Sequence, residues 1–105
     1  VNRGDIFALP SPRAPLGHEQ RESRYAVVLQ ADALLSLSTW IVAPTSTRAR
    51  PASFRPEISL RGRKTRVLVE QMGAIAPERL GNQVGHLRRD ELIAVESAAR
   101  AVLDL

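Results

Sequence analysis

Gly17-His18-Glu19-Gln20 puts an imidazole, a carboxylate and an amide on consecutive residues. Arg24 follows close behind, directly before the apolar run Ala26-Val27-Val28-Leu29-Gln30. Another apolar run, Ile41-Val42-Ala43-Pro44, ends in the hydroxyls of Thr45, Ser46 and Thr47. Together these supply an acid–base group, a fixed cation and a hydroxyl, which is what metal-free cleavage of an RNA phosphodiester requires. A base removes the 2′-hydroxyl proton, cationic donors hold the charge that builds on the phosphate, and an acid protonates the departing 5′-oxygen. The products would be a 2′,3′-cyclic phosphate and a 5′-hydroxyl. DNA lacks the 2′-hydroxyl and would be spared.

Each residue has a chemical and a plain structural reading. Glu19 is the base candidate: a partly closed loop raises a carboxyl pKa, while a nearby Arg lowers it. Its alternative is a solvated loop carboxylate. Arg24 could clamp the scissile phosphate, or form a structural ion pair with Glu19 or Asp5. Its guanidinium stays charged, so it is no general base. His18 could be the acid, since histidine as a residue type changes charge near neutral pH, or an exposed loop His. Ser46, flanked by Thr45 and Thr47, can donate to phosphate oxygens, although a Ser/Thr cluster after Pro is also an ordinary turn. Arg48, Arg50 and Arg55 could track an RNA backbone or simply be solvated. Arg3-Gly4-Asp5 matches a cell-adhesion tripeptide, but Asp5 is expected to fix the start of the first strand. The chain has no Ser-His-Asp pattern with elbow glycines and no Walker-type loop.

These groups need elements to hold them. Residues 6–9 read as a strand ended by Pro10, and residues 11–23 as a long polar loop, a length that is uncommon unless functional. Residues 25–31 read as a strand buried on both faces and 39–43 as another, stopped by Pro44. Residues 54–60 and 65–72 form a hairpin around Arg61-Gly62-Arg63-Lys64. Residues 75–80 include one helical turn at Pro77, and 83–87 a short strand. Residues 90–103 carry Leu92, Val95, Ala99 and Val102 at helical spacing, with Asp90 and Glu91 suiting the N-terminal dipole. The class is α+β, mainly β, with a closing helix.

A chain of 105 residues is expected to be one domain, 1–105, and 44% hydrophobic content is globular. No apolar run is long enough to span a membrane and no secretory pattern opens the sequence, so a cytoplasmic protein is expected. With no Cys, and with His18 and His86 far apart, neither a metal nor any other cofactor is expected. Net charge is +4, and fourteen of the fifteen basic residues are Arg. Arg-favouring codon usage would produce this, and so would a nucleic-acid substrate or an acidic partner.

The order and spacing of these segments resemble the MazF/PemK/Kid family of toxin endoribonucleases over nearly the whole chain. The matching residues are Arg3-Gly4-Asp5-Ile6, Gly17-His18-Glu19-Gln20, Arg24, Val27-Val28-Leu29-Gln30, Ser46 two after Pro44, Glu70-Gln71, and Arg79-Leu80 followed by Val84-Gly85. The resemblance implies a small SH3-like barrel of the CcdB/MazF type with a C-terminal helix, working as a homodimer. It implies Glu19, Arg24 and Ser46 as catalytic residues. His18, Gln20, Tyr25, Thr45, Thr47, Arg48, Glu70 and Gln71 would contact single-stranded RNA. An acidic MazE-like antitoxin would block the groove. Tyr25 stands where the family usually has Pro and could stack on a base, Ser46 replaces the common Thr, and a one-residue slip would make Thr45 or Thr47 its counterpart. Leu68 and Gly73 replace Arg residues of some members. Two other functions fit the fold: gyrase binding, as in CcdB toxins, and non-catalytic RNA binding. The Glu19–Arg24 pair favours the nuclease over the first. Only 4% aromatic content argues against a stacking platform.

Overall fold

The computed structural model describes residues 1–10 and 24–105. Among these described residues seven strands, β1 (Asp5–Ala8), β2 (Tyr25–Val28), β3 (Trp40–Ser46), β4 (Glu57–Leu60), β5 (Arg63–Val67), β6 (Gly73–Ile75) and β7 (Gln83–His86), precede one α-helix, α1 (Arg89–Leu103). All pairings are antiparallel, in the order β4-β5-β3-β2-β1-β7, with β6 on β3. The result is a half-barrel with a C-terminal helix.

The apolar runs sort onto two faces by strand alternation. Ile6, Val27, Ala43, Val67 and Ile58 point to the larger core, which α1 closes with Val95 and Ala98. Ala26, Val28 and Val42 point the other way and carry a smaller cluster with Phe7, Trp40, Ile75 and Leu80. The rings of Phe7 and Trp40 lie 5.9 Å apart, a favourable tilted pair. Trp40 Nε1 donates to Leu35 O at 3.0 Å.

Pro44 does not end its strand as its type predicts. Residues 40–42 of β3 pair with β6, and Thr45 and Ser46 pair with β5 on the same edge. Pro44 sits at that changeover, where the ladder demands no N–H, and its carbonyl accepts from Leu68 N at 2.8 Å. The predicted strand 65–72 is also shorter than expected. It ends at Val67, and Val69–Gln71 form a 3₁₀ turn.

Two polar residues read as parts of strands or motifs are structural. Buried Gln30 donates to Leu34 O and Thr39 O and accepts from Ile41 N, so its amide is satisfied. Asp5 accepts from Asn2 N at 2.8 Å, which fixes the start of β1 as expected. Arg3 pairs with Glu96 of α1 and donates to Leu29 O.

Candidate active site

Arg24 sits just before β2, its carbonyl accepting from Leu9 N at 2.9 Å. Leu9 and Arg24 therefore lie side by side on one rim of the sheet. A cleft of about 380 Å³ opens there. Val42, Pro44 and Ile75 form its apolar floor, and Arg24, Arg79 and Gln71 supply the polar wall. Arg24 is exposed, and among the described residues no carboxylate pairs with it or with Arg79. Two guanidinium groups over an apolar floor make the cleft cationic, the chemistry that suits a phosphate or carboxylate.

Spacing alone does not single out Arg79. It lies on a 3₁₀ turn, Pro77–Arg79, that Pro77 initiates. Gly81 seats this turn against β1: its N–H donates to Ala8 O at 2.8 Å, and a Cβ there would stand 3.1 Å from the Ala8 Cβ. The only sequence signal for Arg79 is its place in the family resemblance. Gln71 reaches the cleft because the 3₁₀ turn after β5 redirects the chain.

Register sorts the three hydroxyl residues by face. Residues opposite one another in an antiparallel ladder share a face. Phe7 faces Ala26 and Ala26 faces Pro44, so Ser46 continues the cleft face two residues beyond Pro44. Its Oγ accepts from Arg48 N at 3.1 Å, an ST-turn that leaves the hydroxyl proton to donate elsewhere. Thr45 is buried on the core face. Thr47 lines a separate recess of about 130 Å³ with Lys64, Thr65 and Arg66.

The remaining candidates divide clearly. Tyr25 packs against the larger core, on the face opposite Arg24 and Ala26. Glu70 is held by Arg55, whose Nη2 and Nε donate to one carboxylate oxygen at 2.7 and 2.9 Å. That guanidinium keeps the Glu70 carboxyl below its ordinary pKa, against an opposing push from burial. Arg55 also lies 5.4 Å from the Phe54 ring centre and donates to Arg50 O, so it is a structural tie. Arg48 closes the turn through Ser46. His18, Glu19 and Gln20 lie outside the described residues.

A family model described as PemK-like, MazF-like toxin of type II toxin-antitoxin system matches residues 2–103. The chain belongs to this family. A Mycobacterium tuberculosis protein named "Putative toxin Rv3098A" is 42% identical, covering 100% of this chain and 99% of its own length. Among solved structures, a mycobacterial endoribonuclease in complex with its cognate antitoxin superimposes at TM-score 0.79 with 13% identity, covering 100% of this chain and 96% of its own. The M. tuberculosis toxin MazF-mt6 gives 0.76 and 20%, covering 98% of each chain. A MazE–MazF complex of Deinococcus radiodurans gives 0.74 and 21%, covering 100% and 97%. At these identities the structures establish the MazF-like fold, a half-barrel of antiparallel strands with one C-terminal helix. In this PemK/MazF-like toxin, Arg24 and Arg79 stand on the wall of the cleft of about 380 Å³.

Proposed function

We propose that this toxin is a metal-independent endoribonuclease that cuts single-stranded RNA at the Arg24 cleft. The observation that carries the proposal is the exposed pair of guanidinium groups, Arg24 and Arg79, over an apolar floor whose face continues to Ser46. Arg24 clamps the scissile phosphate and stabilises the charge of the transition state. Ser46 donates to a phosphate oxygen. Glu19, carried on the segment that joins Pro10 to Arg24, removes the 2′-hydroxyl proton, and His18 is the candidate for protonating the 5′-oxygen. The apolar floor and the Gln71 amide suit a flanking base.

Family membership supports two partners. One is an acidic MazE-like antitoxin that competes for the cationic cleft. The other is a second copy of this chain. The exposed side chains of Leu34 and Ile41 border a mainly apolar groove of about 410 Å³, whose far wall is Leu103 at the end of α1 with Leu105 beyond it, and Leu37 is exposed nearby in sequence. An apolar surface of this kind needs cover.

The test is product chemistry. Pure protein incubated with a long RNA in EDTA is expected to yield discrete fragments with 2′,3′-cyclic phosphate and 5′-hydroxyl ends by mass spectrometry. Fragments with 3′-hydroxyl and 5′-phosphate ends would contradict the 2′-hydroxyl mechanism. Uncut RNA at high protein concentration would favour gyrase binding or non-catalytic RNA binding.

A further inference from the structure

The β4–β5 hairpin presents a concentration of cations that the cleft does not use. Arg61, Arg63 and Lys64 stand exposed at its tip. Among the described residues Arg61 and Arg63 have no ion-pair partner, and Lys64 has only a loose one, 3.8 Å from Glu57. β4 ends at Leu60 and β5 begins at Arg63, so the turn is two residues long. Arg61 has φ 53° and Gly62 φ 79°. Both central residues are therefore left-handed, the pattern of a type I′ turn, whose preferred residues are Asn and Gly. Gly62 meets that demand and Arg61 does not, since its Cβ crowds the backbone. Arg-favouring codons explain Arg on relaxed surface but give no reason for one at a strained position.

Register shows where these cations lie. Ser46 is opposite Arg66, and Arg66 is opposite Glu57. Lys64, two residues before Arg66, shares its face. The sheet face that begins at the cleft with Arg24, Ala26 and Pro44 thus runs through Ser46 and Arg66 to Lys64 and the tip. From Arg66 to the tip is roughly 15 Å of strand.

We propose that this hairpin tip is a second phosphate-contacting surface for single-stranded RNA, with Arg61 and Lys64 holding the backbone several nucleotides away from the bond cut at Arg24. The inference rests on RNA being the substrate of the cleft. The strain at Arg61 is retained because its charge is used.

The test uses two fully 2′-O-methylated single-stranded RNAs of mixed sequence, which bind but cannot be cut. One has about 6 nucleotides and the other about 16, spanning the range of single-strand site sizes. Wild type is expected to bind the longer RNA more tightly, with a steeper salt dependence. Arg61→Asn is expected to melt a few degrees higher than wild type through relief of strain, yet to forfeit part of that length advantage. The double variant Arg61→Asn, Lys64→Ser should lower the salt slope for the longer RNA by roughly 1.4, since each phosphate neutralised on a single strand adds about 0.7 to it. Equal length advantage and equal slope in the variants, with wild type still cutting RNA, would overturn the hairpin inference alone. Failure of wild type to bind either RNA, together with failure to cut the unmethylated sequences, would overturn both the inference and the nuclease proposal.

Discussion

Arg24 and Tyr25 are adjacent in sequence and opposite in fate, because neighbours in a strand point to opposite faces. Arg24 reaches the cleft and Tyr25 packs against the core. The same rule separates Ser46, on the face of Pro44, from Thr45, on the core face. Glu70 shows the opposite limit: its place in a family-like pair suggested a substrate contact, and Arg55 holds its carboxylate instead. Because that ion pair depresses the Glu70 pKa, the folded state binds its proton less readily than the unfolded chain. The resulting stability is present above the ordinary value of 4.5 and is lost as pH falls through the lower folded value. Glu70→Gln should therefore cost about 1 kcal/mol at neutral pH and flatten the acid side of the stability curve, read by thermal melts from about pH 6 down to about pH 3. An unchanged acid limb would show that other carboxylates govern it.

At the scale of elements, α1 is tied to the sheet by one buried carboxylate. Glu91 accepts from Arg88 N at 2.8 Å and from Ser59 N of β4 at 2.9 Å, so it caps the helix and docks it at once. Arg88 has no acceptor to complete a reciprocal capping box. Glu91→Ala is expected to cost about 2 kcal/mol, roughly 10 °C in melting temperature, by stranding two donors. Loss of less than about 0.5 kcal/mol would place Glu91 among ordinary surface residues. The helix was legible because Leu92, Val95 and Ala99 recur at its period, and the apolar runs of β1, β2 and β3 were legible by composition. β6 was not, since Gly73–Ile75 is a strand only because β3 lends it an edge. Nor was the 3₁₀ turn that delivers Gln71, because Val67-Leu68-Val69 reads equally as strand. The turn bearing Arg79 was visible at Pro77, but its place at the cleft depends on the approach of Gly81 to Ala8.

Across the whole molecule, the sheet divides labour between its faces. One is closed by α1 into the main core; the other holds a smaller apolar cluster and then runs out to Ser46, Arg66 and the hairpin cations. Among the described residues, no helix is long and apolar enough to cross a membrane. The exposed Leu34, Leu37 and Ile41 are the surface on which a second copy is proposed. Ile41→Glu should convert a sedimenting dimer to a monomer with its melting curve still cooperative; a wild-type monomer at micromolar concentration would remove that proposal. The account stands most directly on RNA cleavage in EDTA by wild type and by Arg24→Ala of matched stability. Discrete cuts by wild type, slowed about 100- to 1000-fold in Arg24→Ala, are predicted. Cutting by Arg24→Ala at the wild-type rate would contradict it.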